Sequence, residues 1–333
     1  MLNTIKISAL YALQASTGSL AEFSVVLGVP YILVELDERH RSLENDTLSQ
    51  PACPVIALVE GAQQVPPIVD VVVRTDAELQ LITEAIKESP VAAATLVQLL
   101  RHNERSSVRD GLFAESLAYS CLQHGAQFLA WLARRKAPAA RDKQPAAESK
   151  QPERDLVLLQ RDKSQMSITL NRAHKRNAYS AGLRDALHEA LMLVQLDESI
   201  MQVVVNGAGV CFSAGGDLNE FGHADDAALA HISRMTSSNA LLLHNLRHRV
   251  EFSLHGACIG AGIEMPAFSN RVIAHQDSFF QLPEVAMGLI PGAGGTVSIV
   301  GRIGRLKTAY MAISNAAIDA ETALEWGLID AIL

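Results

Sequence analysis

Two glutamates, Glu264 and Glu284, each stand beside a glycine-rich turn in the last third of the chain. The first closes the run Gly256-Ala-Cys-Ile-Gly-Ala-Gly-Ile-Glu264. The second lies in Phe280-Gln-Leu-Pro-Glu284-Val-Ala-Met-Gly-Leu-Ile-Pro-Gly-Ala-Gly-Gly-Thr296. Backbone made of small residues can approach a ligand closely, and two carboxylates carried on it could shuttle protons beside a polarised carbonyl. A third segment, Gly207-Ala-Gly-Val-Cys-Phe-Ser-Ala-Gly-Gly-Asp217, offers main-chain N–H groups at Ser213 to Gly216 that no bulky side chain obstructs. Taken singly, each segment also has a plain structural reading. The first glutamate could balance a helix dipole, the second could sit on an exposed connector, and the third segment, whose Asp217 is placed to cap a short helix, could be an ordinary tight turn.

The elements that must hold these residues follow from local chemistry. Proline is tolerated only where its missing N–H would be unpaired, in about the first turn of a helix. Pro266 therefore puts the helix start near Ala261 or Gly262, with Glu264 in the first turn, where free N–H groups attract negative charge. Upstream, Leu156 to Gln160 and Met166 to Leu170 read as a strand pair, followed by an amphipathic helix over Ser180 to Leu196 with Leu183, Leu187, Leu191 and Val194 on one face. A buried strand over Met201 to Val205 leads into the Gly207 to Asp217 loop. A helix over about Asp226 to Arg247 and strands at Val250 to Leu254 and Arg271 to Ala274 come next. Helices at Thr296 to Val300, Leu306 to Ile313 and Ala320 to Glu325 end the chain. Such alternation defines an α/β core with ligands at loops beyond strand ends.

Residues 136–154, rich in Pro, Ala and charge, read as a flexible linker between a module at 1–135 and a domain at 155–333. Fully extended, the linker would reach on the order of 55 to 60 Å. In the first module, Tyr31 to Leu36, Pro54 to Val59 and Ile68 to Val73 have the branched composition of short strands. Helices then take over: Ala77 to Lys87 with Asp76 as N-cap, Val91 to Arg101 opened by Pro90, and Arg109 to Arg135. Packing and assembly are the expected roles of this module.

The 333 residues, 49% of them hydrophobic, are enough for well-filled cores. A net charge of -8 argues against nucleic acid as the main partner. Cys53, Cys121, Cys211 and Cys258 are widely spaced and suggest neither a disulfide framework nor a metal site, which fits a reducing cytoplasm. Ile5 to Leu13 reads as a buried strand or short helix rather than a secretory leader, and no run suits a membrane span.

In their order and spacing the three glycine segments resemble the crotonase, or enoyl-CoA hydratase/isomerase, superfamily. Thr169-Leu-Asn-Arg-Ala-His-Lys-Arg-Asn-Ala178 is similar to the family's early strand-to-turn signature, with Ala173 where proline is usual. Ala323-Leu-Glu-Trp-Gly-Leu-Ile-Asp330 is similar to its late helix and turn. The resemblance implies a spiral of ββα units that binds acyl-CoA without a separate cofactor, assembled as a homotrimer or hexamer. It implies an oxyanion hole from the N–H groups of Gly216 and Ala261, with Ala214, Gly215, Asp217, Gly260, Gly262 and Gly292 bordering the substrate. Glu264 matches the acid that activates water for attack at Cβ, and Glu284 the acid that exchanges the Cα proton. Both acids together imply hydration. The alternatives are an isomerase working through Glu284 alone, another acyl-CoA reaction of the family, or a non-catalytic acyl-CoA-binding protein. Family members usually continue past the late turn in helices that cover the acyl pocket and build the trimer. The N-terminal helices over Thr75 to Arg135 are expected to take that place.

Overall fold

The computed structural model describes residues 4–14, 22–37, 50–61, 64–136, 155–223 and 226–333. All of the expected linker except Lys136 therefore lies outside the described residues. Strand β1 (Thr4–Lys6) runs into α1 (Ile7–Gln14), and the branched segments form β2 (Ile32–Glu35), β3 (Val55–Leu58) and β4 (Val71–Val73). Helices α2 (Asp76–Glu88), α3 (Pro90–Asn103), α4 (Val108–Gln123) and α5 (Ala126–Lys136) follow. Then come β5 (Val157–Asp162), β6 (Gln165–Leu170), α6 (Ala181–Leu196), β7 (Gln202–Gly207), α7 (Ala227–Thr236), α8 (Asn239–Leu246) and β8 (Val250–Leu254). The chain continues through β9 (Ala257–Ile259), the short α9 (Ala261–Glu264), β10 (Arg271–Ala274) and β11 (Phe279–Gln281). It closes with α10 (Gly295–Ser314), β12 (Ile318–Asp319), α11 (Ala320–Trp326) and β13 (Ala331–Ile332).

Four expectations need correction. Thr75, not Asp76, caps α2: its backbone is extended and its hydroxyl accepts the Glu78 N–H at 3.2 Å, while Asp76 takes the first turn, where its charge suits the dipole. The helical run over 109–135 breaks at His124-Gly125, where the Gly125 N–H turns back to the Leu122 carbonyl, so it forms two helices. The run over 226–247 also divides, because the Ser238 hydroxyl accepts the Leu241 N–H and starts α8 afresh. Conversely, the two expected segments at 296–300 and 306–313 join in α10, broken only at Gly304 with φ 77° and ψ 165°.

By compactness the chain divides into two units that interleave in sequence. The first comprises Met1–Tyr119 and Gln281–Ala317. Its four strands form a parallel sheet in the order β1-β2-β3-β4, over a core that includes Ile7, Leu10, Ile32, Val34, Val55 and Val69. Helices α2 and α3 pack on α10, which also touches β4. Asp70 ties this unit together. Its carboxylate accepts the Val55 N–H at 2.9 Å, pairs with Arg101, and accepts from Arg305 of α10 at 2.9 Å. Arg305 also donates to the carbonyls of Val69 and Pro67. Buried charges are tolerated when donors and acceptors are matched in this way.

The second unit comprises Ser120–Phe280 and Ile318–Leu333. Its six-stranded sheet runs β13-β10-β8-β7-β6-β5, parallel throughout except for the β5–β6 hairpin. The predicted stripe of α6, Leu183, Leu187, Leu191 and Val194, is fully buried, and α6 packs on β5, β6 and α8. Each such aliphatic side chain contributes about 1.5–3 kcal/mol. A small sheet, β12-β11-β9, borders the region where the glycine turns lie. Strands of two or three residues like these are too short to show alternation, and sequence reading passes over them.

Candidate active site

The Gly207 to Asp217 loop leaves the end of β7 and is shaped by the side chain of Asn177. Its amide nitrogen donates to the carbonyls of Ala208, Cys211 and Phe212 at 2.8–3.1 Å, and its oxygen accepts the Arg172 N–H at 2.9 Å. The Ser213 hydroxyl donates to the Asn177 carbonyl at 2.8 Å and accepts the Gly215 N–H. Tyr179 brackets the tip: its N–H donates to the Gly215 carbonyl at 2.7 Å, and its carbonyl accepts the Asp217 N–H at 3.1 Å. The Ala214 N–H is taken by the Arg176 carbonyl at 2.9 Å. Gly216 between them is half-buried, with the Phe221 ring against its α-carbon. Asp217 caps a turn rather than the expected short helix, since its carboxylate accepts the Asn219 N–H at 3.0 Å and pairs with Arg172 at 2.6 Å.

The second turn joins β9 to α9. Gly260 holds φ 50° and ψ -120°, a conformation open to glycine and strained for other residues. As expected, Ala261 opens α9, Glu264 lies in its first turn, and Pro266 starts the next tight turn. The two glycine turns are in backbone contact. A Cβ at Gly215 would lie 2.7 Å from the Ile259 carbonyl oxygen, and one at Gly262 would lie 2.7 Å from that of Ser213. Only glycine permits either approach. Among the described residues, no backbone carbonyl takes the N–H of Gly216 or of Ala261. Two such donors on abutting turns can receive a developing oxyanion. Glu264, on the same helical turn as Ala261, is only 1% exposed.

Glu284 and Gly292 belong to the other compact unit. Glu284 follows β11 and begins a tight turn over Val285–Met287 that ends at Gly288. Its carbonyl accepts the N–H groups of Met287 and Leu289 at 3.0 and 2.9 Å, and its side chain is buried. The structure thus gathers Ala214 to Asp217, Gly260 to Gly262 and Glu264 in one unit and keeps Glu284 with Gly292 in the other.

For Asp217, burial alone would raise the carboxyl. Hydrogen bonds from Arg172 and Asn219, with the charges of Arg172 and Lys175, outweigh it and hold the group below the usual carboxylate range. Burial pushes the Cys53 thiol up to about 12 and raises those of Cys211 and Cys258. None of these three is poised as a thiolate. Burial also pushes the Tyr179 hydroxyl up, against the hydrogen bond from Asn239. That hydroxyl accepts from Asn239 at 2.7 Å, which in turn bonds His188. His255 is half-buried and bridges to the Gly209 carbonyl at 3.0 Å.

Sequence reasoning missed the loop organiser Asn177, the bracket Tyr179, and an aromatic group from the N-terminal segment. In that group Phe128 and Trp131 of α5 pack on Phe221, the residue beneath Gly216. Asn177 sits inside the quoted early signature, so only its role was hidden. No local pattern announces the aromatic group.

Comparison with known proteins agrees with this architecture. Residues 160–333 match the enoyl-CoA hydratase/isomerase family model. The chain is 32% identical over 173 residues to 2,3-dehydroadipyl-CoA hydratase of Escherichia coli, spanning 52% of this chain and 67% of that protein. It is 31% identical over 180 residues to 1,2-epoxyphenylacetyl-CoA isomerase of the same organism, spanning 53% and 68%. The solved structure of Pseudomonas aeruginosa DspI is 28% identical, with a TM-score of 0.50 over 56% of this chain and 71% of that one. This chain belongs to the enoyl-CoA hydratase/isomerase family and has the crotonase fold. Among the described residues, no helix is long and apolar enough to cross a membrane.

Proposed function

We propose that this protein is a hydratase that adds water across the 2,3 double bond of an enoyl-CoA thioester. The observation that carries the reading is the abutment of the Gly216 and Ala261 turns, with the buried Glu264 one helical turn from Ala261. In this reading the thioester oxygen accepts hydrogen bonds from both N–H groups. Water attacks Cβ as Glu264 takes its proton. The C=C electron pair moves through Cα to the thioester oxygen as an enolate, and Glu284 delivers a proton to Cα as the carbonyl re-forms. One water is added and nothing is oxidised or reduced, so the chemistry needs no redox cofactor. Each oxyanion donor is worth about 3 kcal/mol of barrier, and each acid or base about 10²–10⁴-fold in rate. Isomerisation is the second reading. In that reading only Glu284 acts.

The test follows the loss of the conjugated enoyl-thioester absorbance with a short-chain and a long-chain substrate. Glu264→Gln and Glu284→Gln are each expected to lower kcat by about 10²–10⁴-fold. Wild-type protein inert toward both substrates would reject the reading. Inactivation by Glu284→Gln alone would make the protein an isomerase.

A further inference from the structure

The loop between Glu284 and α10 is held by a carboxylate far away in sequence. Glu115 of α4 is 3% exposed. One of its oxygens accepts the Gly294 N–H at 2.8 Å; the other accepts the Thr296 N–H at 3.0 Å and the Thr296 hydroxyl at 2.6 Å. Asn103, the last residue of α3, adds bonds to the same threonine, donating to its carbonyl at 3.1 Å and its hydroxyl at 2.9 Å. Helix α10 has no side-chain cap from its own N-cap position, which is Gly294. Glu115 supplies that cap, satisfying donors that a helix start leaves open and placing negative charge at the positive end of the dipole.

The same helix closes on the loop from a second side. A Cβ at Gly292 would overlap the Tyr119 ring, and one at Gly111 would meet Val297 at 2.9 Å. At the other end of the loop, the turn beginning at Glu284 packs on α10. The backbone from Glu284 to Thr296 is therefore anchored at both ends on one helix, and Glu115 fixes where that helix begins. All of these residues lie in the first compact unit. The three donors facing Glu115 need acceptors on both of its oxygens. A glutamine would turn an NH₂ group toward at least one of them.

We infer that Glu115 is a positioning residue for Glu284, holding the loop that carries it. Only the kinetic consequence rests on the hydratase reading, so the experiment has two arms. In the first, hydrogen exchange is compared by mass spectrometry in full-length wild type, Glu115→Gln and Thr296→Val, the last keeping the side-chain volume. Peptides covering 284–296 should lose protection in both variants, more in Glu115→Gln, while peptides from β6 and β7 stay unchanged. In the second, kcat on an enoyl-CoA should fall by on the order of 10²-fold for Glu115→Gln, less for Thr296→Val, with KM little changed. Unchanged protection over 284–296 would overturn the inference. So would lost protection with undiminished kcat. If the wild type turns over no enoyl-CoA, the hydratase reading fails, and the exchange arm alone still decides whether Glu115 holds the loop.

Discussion

Asp217 shows how one side chain can stabilise the turn that carries a proposed oxyanion donor. Its carboxylate faces Arg172 on one side and the Asn219 N–H on the other, in a site where both members of the ion pair are buried. Because its folded-state pKa is depressed, its contribution is present above the ordinary carboxylate range and is lost as pH falls through the folded value. Asp217→Asn should therefore cost up to about 3 kcal/mol near neutral pH, since it leaves Arg172 buried without its counter-charge. The gap to wild type should begin to narrow below about pH 4 and close as pH falls through the depressed folded value. Urea unfolding midpoints measured across pH check this, and a gap independent of pH would contradict it. At this scale much was legible. Pro266 led to the right helix start, with Glu264 in the first turn, but the expected helix near Gly262 to Phe268 ends at Glu264 and Pro266 opens a separate tight turn; glycine spacing located both turns. The bonds of Asn177 were hidden, because an amide inside a turn motif gives no sign of which carbonyls it will reach.

Among the elements, α10 has the most demanding position, since Glu115 caps its start and Arg305 anchors its middle to Asp70. Asp70 also receives the Val55 N–H and Arg101, so one carboxylate links β3, α3 and α10. Asp70→Asn removes the charge that two buried guanidinium groups share, and should destabilise the protein by about 3–5 kcal/mol. Chemical denaturation at neutral pH measures it, and a loss under about 1 kcal/mol would mean that Arg101 and Arg305 find other partners. Helix and strand identities were readable from periodicity and composition, as α6 and the branched strands show. Boundaries were less so. Gly125 and Ser238 divided expected helices because a glycine and a capping serine compete locally with continuation.

For the whole molecule, the compact units do not follow the order of the chain: residues before 120 fold with 281–317, and β7 and β9, the strands that lead into the two glycine turns, fold with the last residues. No local pattern could announce this. Contacts such as Glu115 with Thr296 or Asp70 with Arg305 join residues roughly two hundred positions apart and depend on burial and donor matching, not on sequence neighbours. Family membership was legible, because its glycine turns and acids keep their order and spacing. In the proposed hydration, Glu264 takes the proton of water and Glu284 supplies the proton at Cα. The most direct measurement of that claim is incubation of the full-length protein with a 2-enoyl-CoA in heavy-oxygen water, followed by mass spectrometry of the product. The hydratase account predicts a hydroxyacyl-CoA carrying the heavy oxygen at Cβ, with the rate of labelling lowered about 10²–10⁴-fold in Glu264→Gln. An unlabelled product with a displaced double bond, or labelling as fast in Glu264→Gln as in the wild type, would contradict it.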